Sequence, residues 1–389
     1  MNIEKFNPTP NNYAEDEKIT FEKDPKMNEY IEVAVKALKD YVGLNESKEM
    51  LIIRDEIANP KTAEILKKAA RELEAEIKEI YLDENVGRED VQKLLSAGET
   101  VVKLSQSSHP ALKELYNEDL ENIKYRLLNL MDLSPEAFKK DGPIAESADD
   151  IERRLNKMHH ELKKAVGFKV TSSYGTNLEI GLRDFKERDW FKESGKLEDG
   201  KWGNLPSGEI FTTPDEFKAN GVLVLPVLDS EMDESQGVDE FVRINIKDGI
   251  ITSIEGGESA KIMRESLQLD MQNELDEMQN PYHVLRIAEI AFGANSKAQH
   301  RAINPEGDYK EAGVSTVEAE KRLGTMHIAF GSGDHGEKEA DGFLKDVGSH
   351  YDFVIPRHGL TVEKFTSEDD FKKKKNARKF ISDGGLNFL

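Results

Sequence analysis

Two short apolar runs in the last third of the chain carry the residues best suited to chemistry: His327 in GTMHIAFG, and His350 with Asp352 in SHYDFVI. Both runs read as strands. Side chains at i and i+2 of a strand leave the same face, so His350 and Asp352 point together while Tyr351 and Phe353 point the other way. The glycine-rich connection from Gly331 to Gly348 lets the two runs come together, which would add His327 to the pair. Two glutamates stand in unusual settings. Glu209 lies in NLPSGEIFTTP, between Gly208 and a short apolar run, and Glu289 lies in RIAEIAFGAN among Ile287, Ala288, Ile290, Ala291 and Phe292. A carboxylate in such a run is costly to bury unless it is paired or bound to a metal. The competing arrangement is an amphipathic helix with Glu289 on its wet side. Together Glu209, Glu289, His327, His350 and Asp352 give three carboxylates and two imidazoles. That is the ligand inventory of a two-metal hydrolytic site, where the ions activate water and polarise a carbonyl. Mixed nitrogen and oxygen ligation suits Zn, Co or Mn better than Mg. Glu320, Asp334 and Glu337 lie near these residues in sequence as supporting carboxylates, but the general base stays unassigned because that role needs geometry first.

The elements that must position these groups fall into two patterns. From Met27 to about Leu130 strands alternate with helices: a first helix over Met27 to Leu44, strand Met50 to Ile53, a helix opened by Pro60, strand Ile77 to Leu82, a helix over Arg88 to Ala97, strand Thr100 to Leu104, a helix from Pro110 to about Leu120, and strand Ile123 to Leu130. Such alternation predicts a parallel sheet with helices on its faces. A capped amphipathic helix spans Ser147 to Val166, with His159 and His160 on its exposed flank. After Gly167 the period becomes two, and strands are predicted at Phe168 to Ser172, Leu178 to Leu182, Val222 to Leu228, Phe241 to Ile246 and Ile250 to Ile254, the last two closed by Asp248 and Gly249. Helical patterns return at Ser259 to Met278, Pro281 to Ala288 and Val317 to Leu323. The expected fold is α/β: an N-terminal α/β domain over 1–166 with a parallel sheet, and a β-rich α+β C-terminal domain over 167–389 that carries the metal site.

Composition narrows the rest. A formal net charge of -22 argues against nucleic acid or an anionic membrane as partner, since both need a basic footprint. The basic run Lys372 to Lys375, with Arg378 and Lys379, is a solvated helix face. There is no cysteine, so disulfides, thiolate ligands and a cysteine nucleophile are excluded, and any metal must be held by His, Asp and Glu. No apolar run approaches the roughly 20 residues that span a bilayer, and the start has no signal-peptide core, so the cytoplasm is expected. No GxGxxG follows the strand ending at Ile53, and no GxxxxGK[ST] or GxSxG is present anywhere, so the N-terminal domain is assigned no nucleotide cofactor and serine-triad chemistry is disfavoured.

Five segments in one order carry a resemblance: GTNL at 175–178, NLPSGEIFTTP at 204–214, AEIAFGAN at 288–295, GTMHIAFG at 324–331 and SHYDFVI at 349–355. Over most of residues 27 to 356 the chain resembles the aminopeptidase T and aminopeptidase S family of metallopeptidases. The resemblance implies an exopeptidase that removes N-terminal residues from a peptide substrate with two metal ions, and a homodimer whose active sites face an internal cavity. Carried over by position, it places the metal ligands on Glu209, Glu289, His327, His350 and Asp352. One departure stands out: the family's tyrosine near the metals falls on Asp334. That motivates the alternative expectation of a non-catalytic descendant, a metal-stabilised protein that binds peptides or assembles with partners.

Overall fold

A computed structural model describes residues 25–44, 48–95, 99–105, 109–112, 125–131, 133–225, 241–276, 279–299, 302–303, 309–310, 316–333 and 349–388. The chain divides into two compact units, one made of 1–145 with 198–201 and the other of 146–197 with 202–389. The division precedes the amphipathic helix, which the sequence reading assigned to the first domain.

In the first unit, helix α1 (Met27–Asp40) buries Tyr30, Ile31, Val33, Ala34, Ala37 and Leu38 along one face. Strand β1 (Glu49–Arg54) leads to helix α2 (Pro60–Glu72), which starts where it does because the Asn59 side chain accepts from the amides of Lys61 and Thr62 and Pro60 takes a position that needs no donor. Strands β2 (Glu76–Tyr81), β3 (Thr100–Lys103) and β4 (Arg126–Asn129) complete the set. All pair in parallel in the order β2-β1-β3-β4, as the alternating pattern requires. Of the helix expected from Pro110, only a 3-10 turn at Pro110–Leu112 lies within the described residues.

The second unit opens with helix α3 (Ala148–Leu162), whose buried stripe is Ile151, Leu155, Met158 and Leu162. Two large antiparallel sheets follow, besides a two-stranded ladder of Ala302–Ile303 with Tyr309–Lys310. The larger has eight strands, ordered Ile250–Glu255, Val242–Lys247, Ala219–Leu225, Asn177–Gly181, Gly167–Thr171, Thr361–Phe365, Arg378–Ser382 and Gly385–Leu386. The smaller contains β5 (Phe191–Glu193), β6 (Glu209–Thr212), β7 (Ile287–Gly293), β8 (Met326–Gly331) and β9 (His350–Ile355), each paired antiparallel with its predecessor. Their shared core holds Ile210, Ile290, Phe292, Met326, Ile328, Phe330, Phe353 and Ile355 from the smaller sheet and Phe168, Val170, Val362 and Phe380 from the larger. Phe292 sits in the middle, its ring 5.7 Å from Phe168, 5.9 Å from Trp190 and 4.9 Å from Phe380. Burying each such ring stabilises the unit by about 1.5–3 kcal/mol.

One sequence expectation is corrected here. The helical pattern read over Pro281 to Ala288 is a 3-10 turn, Pro281–Leu285, followed by strand β7, and Glu289 lies on that strand and not on the wet side of a helix. Every residue of β7 is buried, so both faces are largely apolar and the alternation that marks a strand is hidden. Among the described residues no helix is long and apolar enough to cross a membrane.

Candidate metal centre

Strand alternation sorts the smaller sheet into two faces. On β7, Ile290 and Phe292 face the core, so Glu289 and Ala291 face away; on β8, Met326, Ile328 and Phe330 face the core and His327 faces away. On β9, Phe353 and Ile355 are in the core with Tyr351 packed against it, which turns His350 and Asp352 to the other side, and Ile210 on β6 does the same for Glu209. The register then sets them side by side, with His327 opposite Ala291 and Val354, Ala329 between Glu289 and Asp352, and Glu209 opposite Gly293. The structure thus brings Glu209, Glu289, His327, His350 and Asp352 onto one face.

His327 is at the centre. Its Nε2 lies 3.1 Å from Glu289 Oε1, 3.4 Å from Glu209 Oε2 and 3.7 Å from Asp352 Oδ1. His350 Nε2 lies 3.5 Å from Asp352 Oδ2 and 3.8 Å from Glu289 Oε2. The other nitrogen of His350, Nδ1, donates to the Ser332 carbonyl at 2.7 Å, which fixes the ring and leaves Nε2 as the nitrogen offered to a ligand. All but His350 are buried; its side chain is 32% exposed and marks the open side of the centre. Burial by itself would lower the pKa of His327, but the Glu289 hydrogen bond and the charges of Asp352, Glu320 and Glu209 outweigh it and raise the value to about 9. Burial likewise opposes the charge on His350, yet Asp352, Glu289 and the Ser332 carbonyl raise its pKa to about 10. Such imidazoles sit in a field made for a cation.

The donor atoms fit a divalent metal. Glu209, Glu289 and His327 offer ligand atoms within 4.8 Å of one another, and so do Glu320, His327 and Asp352. Glu209 Oε2, His327 Nδ1 and Asp352 Oδ1 are buried without a hydrogen-bond partner, a cost that an ion bound among them would relieve for the oxygens. Glu320 enters through its side chain, with burial pushing its pKa up to about 7. Asp334 and Glu337 lie outside the described residues.

Lys321 is the functional residue that sequence reasoning missed. Its side chain is 2% exposed, and Nζ lies 2.5 Å from Glu209 Oε1, 2.8 Å from Glu320 Oε1 and 3.6 Å from Glu193 Oε2. It closes a short helix, α4 (Thr316–Lys321), and the following backbone is pressed onto the sheet: Asn295 donates to the Lys321 carbonyl at 2.8 Å and Leu323 donates to the Asn295 carbonyl at 2.8 Å. Gly293 makes this approach possible, because a Cβ there would meet Arg322 O at 2.1 Å. In the sequence VEAEKRLG the lysine looks like one more solvated charge; the glycine it depends on stands 28 residues earlier.

With this geometry established, comparison with known proteins decides the family. A family model described as NicX, 2,5-dihydroxypyridine 5,6-dioxygenase, matches residues 30–355. The chain belongs to the NicX family. A 2,5-dihydroxypyridine 5,6-dioxygenase from Pseudomonas putida KT2440 is 24% identical over 280 residues, covering 67% of this chain and 74% of that protein. The solved structure of the 2,5-dihydroxypyridine dioxygenase from the same organism superposes with a TM-score of 0.63 at 19% identity, over 92% of this chain and 97% of the other. Wild-type AmpT from Thermus thermophilus superposes with a TM-score of 0.61 at 15% identity, over 93% and 100%. The likeness to AmpT is one of fold. Assignment to the aminopeptidase family is therefore overturned, and with it the peptide-hydrolase activity and the alternative of an inactive peptidase relative that binds peptides: NicX members are named as oxygenases of a small heteroaromatic ring. The motifs that carried the resemblance lie on strands and turns of the shared fold, and a fold does not specify the reaction it serves.

Proposed function

We propose that this NicX-family chain is a metal-dependent dioxygenase that opens a small dihydroxylated heteroaromatic ring of the 2,5-dihydroxypyridine type. The observation that carries the reading is the convergence of His327, His350 and Asp352 on one sheet face, with Glu289 between the imidazoles. Two histidines and one carboxylate with the remaining positions open is the arrangement typical of non-haem Fe(II) oxygenases. Iron thus replaces the Zn, Co or Mn of the sequence expectation.

His327 Nε2, His350 Nε2 and Asp352 would hold the ion. When bound, it supplies the coordination positions and the electron that let dioxygen react with a ring at ambient temperature. The chain's own residues set the conditions around it. Ser332 O keeps the His350 ring aimed. The apolar sheet beneath excludes water from the buried side, so substrate enters from the exposed His350 edge. Glu289, with Oε1 at 3.1 Å from His327 and Oε2 at 3.8 Å from His350, is the carboxylate placed to accept a hydroxyl proton as the ring binds.

Anaerobic loading with Fe(II), followed by 2,5-dihydroxypyridine and air, should consume one dioxygen per ring lost, with loss of the aromatic absorbance. Iron-loaded protein that leaves both ring and oxygen untouched would refute the reading.

A further inference from the structure

We infer that the second unit holds a buried site for a single chloride ion on Arg188, separate from the metal centre and independent of how that centre is read. Between the end of α3, the loop 182–190 and the end of β6 lies a cavity of about 10 Å³, room for one water-sized particle. Its polar wall is made by Arg183, Arg188, Thr212 and Thr213, and the rest, Ala165 and Trp190 included, is apolar. A local turn drives Arg188 inward: the Asp184 carbonyl accepts the amides of Glu187 at 2.8 Å and Arg188 at 3.0 Å, and the arginine is left 4% exposed. A guanidinium this deep needs an acceptor for each of its donors. Nη1 donates to the Pro214 carbonyl at 2.8 Å and Nη2 to Glu216 Oε1 at 2.5 Å, but Nε is buried with no acceptor.

The surroundings select an anion. No acidic side chain is among the described residues that line the cavity, and both threonine hydroxyls donate elsewhere, Thr212 to the Asp189 carbonyl at 2.8 Å and Thr213 to the Gly333 carbonyl at 3.1 Å. The charges gathered behind the wall are unequal. Arg183 and Arg188 both pair with Glu216, Lys218 pairs with Asp215, and Arg286 donates to the Glu216 carbonyl, so four cationic side chains meet two carboxylates. In a chain of net charge -22 such a local excess is set by position and runs against the composition. A water would satisfy Nε but leave that excess, whereas a chloride answers both. Guanidinium, weakly hydrated and flanked here by apolar side chains, suits an ion that needs donors and apolar contact and offers no proton in return.

Two measurements test the site. Crystals grown in sodium bromide should show an anomalous peak beside Arg188 Nε. In solution, replacing sodium gluconate by sodium chloride up to about 100 mM at constant ionic strength should raise the melting temperature along a saturating curve, by about 2–4 °C. Arg188→Lys, which keeps the charge but offers no Nε donor, and Ala165→Val, which keeps both arginines and fills the space, should lose the peak and the rise together. The wild-type results need neither variant to fold. A water at the site in the bromide crystals, or a rise equal in wild type and both folded variants, would overturn the inference. So would a bromide peak without a saturable rise, which marks an adventitious ion only.

Discussion

An imidazole buried among carboxylates holds either a metal or a proton, and His327 and His350 are placed to do both in turn. Without metal their pKa values stand at about 9 and about 10, above the ordinary 6.5, because the facing carboxylates outweigh burial. A raised histidine pKa means that the folded, metal-free protein binds protons more tightly than the unfolded chain. The stabilisation is fully present below about pH 6.5 and is lost as pH rises through 9 to 10. The melting temperature of metal-free protein should therefore fall by several degrees between pH 7 and pH 10, more than that of a His327→Gln variant over the same range. Metal affinity should move the opposite way and strengthen with pH, since binding must displace those protons. Matching melting profiles in the two proteins would show that the carboxylates do not hold the imidazoles charged. At this scale much of the centre was legible: isolated acids and imidazoles inside apolar runs named all five residues that share the face. Lys321 was not, because a lysine among Glu318, Glu320 and Arg322 has the local pattern of a solvated helix surface, and only tertiary packing buries it.

Strands do the positioning. The period of two explains why His350 and Asp352 act together and why Tyr351 and Phe353 belong to the core. It was visible at the start of β9, where His350 and Asp352 alternate with Tyr351 and Phe353, and hidden in β7, where burial on both faces left Glu289 open to a helical reading. The parallel strands of the first unit were readable from their alternation with helices. The contact between β7 and the end of α4 was not, since it depends on a missing side chain far away in sequence. Gly293→Ala tests that contact. The added Cβ would lie 2.1 Å from Arg322 O and 2.7 Å from Glu320 O, so the backbone carrying Lys321 must move. Denaturant unfolding should show a loss of about 1–3 kcal/mol, as for other overpacked sites, with a rise in metal affinity because the ammonium that opposes a cation moves away from Glu209. Unchanged stability and affinity would mean that the segment bearing Lys321 is not fixed by the sheet.

At the scale of the whole molecule, one fold serves more than one chemistry. The order of five segments over residues 175–355 reported architecture correctly and reaction wrongly, because strands and turns belong to the scaffold, and AmpT shares that scaffold. A ring-opening dioxygenase and a hydrolase differ most simply in where the oxygen of the product originates. The direct measurement is a single turnover of Fe(II)-loaded protein with 2,5-dihydroxypyridine under ¹⁸O₂ in ordinary water, with the product analysed by mass spectrometry at early times. The account predicts that both atoms of one dioxygen appear in the ring-opened product. A product whose new oxygen comes only from water would contradict it.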